Sequence, residues 1–241
     1  MIRHVEPVMG TVFSIVADAG AGIPAAVARL HHLDEVFSTY RPESVVSRMA
    51  RGETVEYDAE VAEVLDRCSE VERETGGWFT AYPEGRLDPS GWVKGWAVAE
   101  VARILAEAGA ADYCVAGGGD VQTAGRTEDG RPWRVGIADP LRPMKLAAVV
   151  AGSGIAVATS GIAERGTHII DPHSGQPAEG FLSVTLVGER IAATDAWTTA
   201  VYAMGPELGL EWAERRPGIE AFAVLPDGTT RQTSGFAAFS G

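Results

Sequence analysis

Basic residues are scarce in this sequence. Its 241 residues include 20 lysines and arginines against 33 aspartates and glutamates, which gives a formal net charge of −13. Nucleic acids and anionic membrane surfaces bind basic protein faces, so this composition argues against either partner. A phosphate-rich ligand would need a local source of positive potential, such as a helix N-terminus, backbone amides or a bound cation.

Cysteines and long apolar runs are also few. Cys68 and Cys114 occur in unrelated contexts, without the spacing of a zinc site, a redox pair or a disulfide framework. We therefore expect both to be small core residues in a reducing compartment. No run approaches the ~18 apolar residues of a membrane span, and the first residues, MIRHVEPVMGTVFSIVAD, contain no apolar signal core. These features predict a cytoplasmic protein.

The spacing of apolar residues predicts an α+β fold. Helical spacing occurs at 23–40, 58–77, 92–110, 195–205 and 207–216, and strand patterns follow one another between 112 and 187. Strands in succession, without regular alternation with helices, favour α+β over a doubly wound sheet. The segment 41–52 is predicted to be a loop and HIID, at 168–171, a strand. Because no linker interrupts the chain, we predict one domain over residues 1–241.

Two predicted helix starts carry residues suited to binding. In LDPSGWVKGWAV, Asp88 precedes a Ser-Gly turn and Lys94 falls in the first helical turn, where a bound anion would suit both the lysine and the helix dipole. The alternative is a solvent-exposed lysine. In ATDAWTTAVYAMG, Asp195 and Thr199 share one helix face, and their oxygens suit magnesium. The alternative is an acidic residue that stabilises the dipole, with Thr199 bonded to its own helix.

Two further segments are punctuated by glycine. VAGGGDVQTAG contains Asp120 but matches neither a dinucleotide fingerprint nor a P-loop, so its spacing alone favours a tight turn. VATSGIAERGTHIIDPHSG places His168 directly before Ile169 and Ile170. A lone histidine in such a place is ordinarily structural, yet histidine is also the side chain best suited to act as a base near neutral pH.

Taken together and in order, these segments resemble the ApbE family of FAD:protein FMN transferases. The matching pieces are MGT at 9–11, STYRPESVVSR at 38–48, the helix start at 88–97, GGGDV, ATSG with HIIDPHSG, and TDAWTTAVYAMG. The resemblance implies an ApbE-like fold of two intertwined α/β lobes with mixed sheets and a flavin-binding cleft between them. It also implies post-translational flavinylation: with Mg²⁺, the FMN moiety of FAD is transferred to a threonine or serine hydroxyl of a target flavoprotein, and AMP is released.

The resemblance also assigns roles to individual residues. The positions that line the FAD site match Met9, Tyr40, Phe79, Asp88, Lys94 and Ile169. The metal positions match the side chains of Asp195 and Thr199 and the backbone carbonyl of Gly91. His168 matches the family histidine proposed as the base. By strand alternation, one of Ile169 and Ile170 would face the flavin and the other the core.

The sequence departs from the family pattern at several positions. Thr80 stands where the family has an aspartate, the stretch between Phe79 and Asp88 is shorter, and Thr198 stands where some members have a second carboxylate. Two other functions therefore stay open. One is a magnesium-dependent FAD pyrophosphatase that produces FMN and AMP, and the other is a non-catalytic FAD-binding protein.

Overall fold

The computed structural model describes residues 1–162 and 169–241. Among these residues the α-helices are α1 (Ile23–Phe37), α2 (Val45–Ala50), α3 (Ala59–Glu74), α4 (Ser90–Glu107) and α5 (Ile191–Arg215). The strands are β1 (Ile2–Val8), β2 (Thr11–Ala17), β3 (Tyr113–Gly117), β4 (Asp120–Ala124), β5 (Trp133–Ala138), β6 (Leu146–Gly152), β7 (Ala156–Gly161), β8 (Ser183–Gly188), β9 (Glu220–Val224) and β10 (Thr230–Gln232). The α+β class predicted from the sequence is confirmed.

Eight of these strands form one sheet, in the order β1-β2-β3-β4-β7-β8-β9-β10, and β5 and β6 form a separate ribbon. All strand pairs in the described part of the chain are antiparallel, whereas we expected mixed sheets. Two hairpins turn through only two residues. Met9 and Gly10 have φ of 57° and 68°, and Gly118 and Gly119 have φ of 55° and 87°. Positive φ at both positions matches the twist of the flanking strands.

The core lies on both faces of the large sheet. In β7 and β9, successive residues belong to different apolar clusters, as expected for strands covered on both sides. The larger cluster packs beneath α1, α3, α4 and α5 and includes Phe13, Leu30 and Val98. The smaller cluster joins the opposite face to the β5–β6 ribbon through Ile137 and Val150. The helices therefore lie on one face, where α4 and α5 cross.

Local capping signals explain where the helices begin and break. The Asp58 carboxylate accepts hydrogen bonds from the amides of Glu60 and Val61, at 3.1 and 3.2 Å, so the predicted N-cap of α3 is confirmed. Helix α5 is interrupted at Gly205, whose φ is 76°, immediately before Pro206. The two adjoining helical pieces predicted there are confirmed, since this break separates them.

Two predictions of local structure are wrong. The segment 41–52 contains α2, because the Ser44 side chain accepts a hydrogen bond from the Ser47 amide at 3.0 Å and caps a helix. The predicted strand HIID begins at residue 168, which lies outside the described residues, and in the rest of it Ile170 forms only an isolated bridge to Pro177. The expected alternation of Ile169 and Ile170 therefore has no strand to support it. None of the described helices is long and apolar enough to cross a bilayer.

Candidate active site

Helices α4 and α5 approach each other most closely at Gly95. A Cβ on this residue would lie 2.7 Å from Asp195 Cβ and 2.9 Å from the Ile191 carbonyl oxygen, so only glycine fits. The Gly95 amide donates a hydrogen bond to Asp195 Oδ2 at 2.9 Å. The crossing thus fixes the Asp195 carboxylate against the backbone of α4. Sequence reasoning placed Asp195 near a helix N-terminus, where it would stabilise the dipole, but its partners lie across the crossing.

Lys94 joins this carboxylate to a second one. Its ammonium group donates to Asp195 Oδ1 at 3.0 Å and also to Asp120 Oδ2. The side chains of Asp120 and Asp195 are 0% and 4% exposed, whereas that of Lys94 is 24% exposed. We call Lys94, Asp120 and Asp195 the buried charge trio. The alternative of a solvent-exposed lysine is wrong, because this lysine is the shared partner of two buried carboxylates.

Lys94 lies one turn later in the helix than predicted. Asp88 Oδ1 accepts a hydrogen bond from the Ser90 amide at 3.0 Å, so α4 begins at Ser90 and Lys94 is its fifth residue. The first turn of amides therefore precedes the ammonium group along the helix. The amides of Ser90, Trp92 and Val93 already have acceptors within the chain, so the ammonium group is the donor that this end of α4 offers to an anion.

Gly91, Phe79 and Thr199 meet one turn before Lys94 on α4. A Cβ on Gly91 would lie 3.1 Å from Phe79 Cε2 and 3.8 Å from Thr199 Oγ1. Phe79 is only 2% exposed, and its ring packs against this turn of α4. The Thr199 hydroxyl donates to the Asp195 carbonyl oxygen at 3.3 Å, which is the bond to its own helix that the sequence alternative described. A hydroxyl oxygen keeps acceptor capacity when it donates in this way.

Asp195, Thr199 and Gly91, the residues assigned to the metal from the sequence, carry three kinds of oxygen atom. They supply a carboxylate, a hydroxyl and a carbonyl, which are the oxygen ligands that Mg²⁺ and Ca²⁺ prefer. In a regular helix the amide of Gly95 donates a hydrogen bond to the carbonyl oxygen of Gly91. Here the Gly95 amide donates to Asp195 Oδ2 as well. Among the described residues no three His, Cys, Asp or Glu side chains form a metal cluster. Such a cation would therefore hold few protein ligands and complete its shell with water and substrate oxygens.

The other residues assigned from the sequence have different surroundings. Met9 is partly buried in the β1–β2 turn and packs against the larger core cluster. The carbonyl of Ile169 accepts from the Ala178 amide at 2.9 Å, and its side chain packs on the same cluster. Tyr40 is 81% exposed, and no hydrogen bond among the described residues joins it to the buried charge trio. His168, the predicted base, lies outside the described residues.

The segment after Ile170 forms a polar turn beside a cavity. Asp171 accepts hydrogen bonds from the His173 amide and the Ser174 hydroxyl, at 2.8 and 2.6 Å, and the Ser174 bond holds the pKa of Asp171 below its usual range. The His173 ring meets Trp78 edge to face, with centroids 4.4 Å apart. A cavity of about 480 Å³ lies between this turn and the break in α5 at Gly205. Trp78, Asp171 and Met204 are among the residues that line it.

Sequence reasoning missed Asp120 as a site residue. Its glycine-rich context favoured a tight turn, and the structure confirms that turn at Gly118–Gly119. The missed signal was the acidic residue itself. A carboxylate directly after a two-residue turn begins the next strand, and here it is completely buried. Burial of a charge requires a partner, which the sequence alone did not identify.

The ApbE family model matches residues 9–82 and 80–223 of this chain. The chain belongs to the ApbE family. The two matched pieces overlap at residues 80–82. This family member also shares its fold with solved structures. The apo flavinyl transferase ApbE of Pseudomonas stutzeri has a TM-score of 0.85 at 26% identity and covers 99% of this chain and 98% of its own. An ApbE protein from Thermotoga maritima has a TM-score of 0.88 at 22% identity, over 100% and 99% of the two chains.

Curated relatives carry the name FAD:protein FMN transferase. The one from Escherichia coli K12 is 32% identical over 161 residues, which cover 63% of this chain and 46% of the relative. The one from Rhodobacter capsulatus is 31% identical over 202 residues, or 80% of this chain and 36% of the relative. The chain thus matches less than half the length of these relatives. The likeness to the solved structures confirms the ApbE-like fold predicted from the sequence.

Proposed function

We propose that this chain is an FAD:protein FMN transferase that uses a divalent cation, most simply Mg²⁺. It takes the FMN moiety from FAD, attaches it to a threonine or serine hydroxyl of a target flavoprotein, and releases AMP. Membership of the ApbE family and the names of the relatives support this reaction. The observation that carries the proposal is the contact between Lys94 and Asp195 at the helix crossing where Gly91 of α4 also faces Thr199 of α5.

With a divalent cation bound, the charge at this site would suit a diphosphate. The chain has a net charge of −13, so an FAD diphosphate needs local positive charge. The Lys94 ammonium has three N–H donors and uses two of them on Asp120 and Asp195, so the third can bind a diphosphate oxygen. Asp195, Thr199 and the Gly91 carbonyl would hold the cation. A bound Mg²⁺ would neutralise the charge on the diphosphate and stabilise the AMP leaving group.

The proposed step is a displacement at the flavin-side phosphorus of FAD. The acceptor hydroxyl oxygen forms a bond to this phosphorus, and the bond from the phosphorus to the bridging oxygen breaks. AMP leaves with the bridging oxygen, and the hydroxyl proton passes to a base. We assign this base to His168, following the family motif. The pKa of a threonine or serine hydroxyl lies far above neutral pH, so its proton needs a base within hydrogen-bond reach. Lys94 would bind the diphosphate oxygens throughout, and the Gly95 amide would keep Asp195 oriented.

The reaction can be tested directly with a candidate flavoprotein. The protein, FAD, Mg²⁺ and the acceptor are incubated together, and the acceptor is analysed by intact mass spectrometry while AMP is measured by chromatography. We expect the acceptor to gain the mass of FMN at one threonine or serine, with one AMP released for each attachment. AMP formed rapidly without any acceptor would favour the pyrophosphatase. A yellow protein that stays inert under both conditions would favour the non-catalytic FAD-binding protein.

The metal assignment has its own test, since Asp195→Ala removes the proposed ligand. The variant keeps the pairing of Lys94 with Asp120, so we expect it to fold. FMN transfer should fall by a factor on the order of 100 or more, because charge on the leaving group is no longer stabilised. Asp139→Ala is the matched control, since Asp139 is another buried carboxylate and is paired with Arg142 just after β5. Normal flavinylation by the Asp195 variant would contradict the assignment.

A further inference from the structure

Asp120 is the completely buried carboxylate of the buried charge trio, and the proposed function gives it no role. It begins β4, directly after the Gly118–Gly119 turn, and its side chain has no exposed surface. Its Oδ2 accepts from the Lys94 ammonium, and its Oδ1 accepts from the Thr159 amide of β7 at 3.3 Å. A buried carboxylate needs such partners to offset the loss of hydration. Asp120 therefore ties α4 to the adjacent strands β4 and β7 at one point.

The turn before Asp120 is shaped to admit the lysine. Gly118 has a φ of 55°, and a Cβ on it would lie 3.2 Å from Lys94 Cδ and 3.4 Å from Thr11 Oγ1. A side chain at this position would crowd the aliphatic stem of the lysine. The glycine turn is thus a slot for the Lys94 stem, and it directs the ammonium group toward the first residue of β4.

The charges within the trio are unequal. One ammonium is shared between two carboxylates, Asp120 and Asp195, so the three side chains together carry a net negative charge. If Asp120 were neutral, the ammonium would pair more closely with Asp195 and would compete with any cation for that carboxylate. With Asp120 ionised and in place, the ammonium is shared, and Asp195 keeps the capacity to bind a cation.

We infer that Asp120 is a positioning residue that draws the Lys94 ammonium away from Asp195 and so leaves Asp195 able to bind a divalent cation. This inference rests on the proposed function, because it takes Asp195 as a cation ligand. The glycine turn and Asp120 act together: the turn makes room for the stem, and the carboxylate holds the charged end beside the place of the diphosphate.

The test is a Mn²⁺ titration of the full chain, followed by the electron paramagnetic resonance signal of free Mn²⁺, without FAD or acceptor. Asp120→Asn keeps the shape and the acceptor for Thr159 but removes the charge. We expect it to weaken Mn²⁺ binding by about 10- to 100-fold, the usual effect of residues that orient metal ligands. Asp139→Asn is the control, since Asp139 is a buried carboxylate paired with Arg142 away from the trio. An unchanged affinity in Asp120→Asn would overturn the inference.

Lys94→Met separates positioning from a general loss of charge. If the ammonium competes with the cation, removing it should raise Mn²⁺ affinity about tenfold more in the Asp120→Asn background than in the wild type, a coupling of the size seen between contacting residues. Equal gains in both backgrounds would overturn the inference. If Lys94→Met alone does not fold, Asp120→Asn can be compared with the double variant Lys94→Met/Asp120→Asn. The double variant should bind Mn²⁺ more tightly, and equal affinities would overturn the inference.

Gly118→Ala tests the slot independently. The new methyl group would press on the Lys94 stem, and we expect weakened Mn²⁺ binding in the same direction as in Asp120→Asn. Gly10→Ala is the matched control, because Gly10 has a φ of 68° in the neighbouring hairpin and its added methyl group would meet no atom within 4 Å. Equal effects of the two substitutions would contradict the slot. Failure of wild-type Mn²⁺ binding would overturn the cation site itself, whereas failure of FMN transfer with these couplings intact would count only against the proposed reaction.

Discussion

Helix α5 contributes residues to two charged clusters, and the charges of the two are arranged differently. Near its start, the buried charge trio gives one lysine two carboxylates, nearly out of contact with water. Beyond its end, Arg216 pairs with Glu74 and stacks on Trp197 and Trp212, with ring centroids 3.9 and 4.8 Å from the guanidinium carbon. The three side chains of the first cluster carry a net negative charge, whereas the second cluster is balanced and partly exposed.

The comparison separates the cluster that we propose to bind a cation from one that stabilises the fold. In the Arg216 cluster each charged group is paired within the chain, since Glu74 also accepts from the Trp197 indole at 3.0 Å. A balanced cluster of this kind pins α3 to α5 and has no charge left for a ligand. In the trio, by contrast, one ammonium group is shared between two carboxylates, and the proposed cation at Asp195 would stabilise them further. Unequal charge in a buried place is therefore the feature that marks the candidate site.

Lys94→Met should give the largest loss of stability. Removing the lysine leaves Asp120 and Asp195 buried near each other without the counter-charge they share, and breaking a buried pair in this way costs about 3–5 kcal/mol. The free energy of unfolding can be measured by urea denaturation. The double variant Lys94→Met/Asp120→Asn should recover part of the loss, because one buried charge is gone. A loss below about 1 kcal/mol would mean that the trio is not held as tightly as its burial indicates.

Gly95→Ala should have the next largest effect. The added methyl group meets Asp195 Cβ and the Ile191 carbonyl, so α4 and α5 must move apart, at a cost of about 1–3 kcal/mol. Gly91→Ala is the matched comparison on the same helix, where the nearest atom belongs to the edge of the Phe79 ring at 3.1 Å. Thermal unfolding of both variants would measure the difference. Equal melting temperatures would show that the crossing tolerates separation at Gly95.

Arg216→Ala should have a smaller effect, confined to stability. The substitution removes a partly exposed ion pair and cation–π contacts, which together contribute about 1–2 kcal/mol. Mn²⁺ affinity should stay at the wild-type value, because this cluster is not part of the cation site. Urea denaturation and the Mn²⁺ titration measure the two quantities on the same preparation. A weakened Mn²⁺ affinity would break the distinction between the clusters.

The two cysteines allow a finer test of the same distinction. Burial raises the pKa of Cys68, on α3, to about 12 and that of Cys114, on β3, to about 11. At pH 8 both thiols are protonated, and the thiolate is the reactive form, so alkylation should be much slower than for an unfolded chain. In Lys94→Met, Cys114 should gain reactivity more than Cys68, because β3 leads into the turn that holds the lysine. Mass spectrometry of the alkylated peptides would measure both rates, and a larger gain at Cys68 than at Cys114 would contradict the prediction.

The sequence predicted what depends on neighbouring residues and missed what depends on distant ones. The Asp58 cap and the break at Gly205 follow from local signals, and both were found. The short helix α2 was missed because its six residues give too little periodicity to recognise. The trio was found only in part: Lys94 and Asp195 are 101 residues apart, and Lys94 and Asp120 are 26 apart. Motif order identified the first pair, but the burial of Asp120 depends on packing that no local pattern encodes.

The two-residue turn at Gly118–Gly119 also limits how this chain can be engineered. Lengthening it by even one amino acid would shift the register of β4, and Asp120 would point to the other face of the sheet. A peptide tag or a fused partner would therefore disable the site if placed there. The exposed connection around residues 127–131, between β4 and β5, is a safer place for such an insertion.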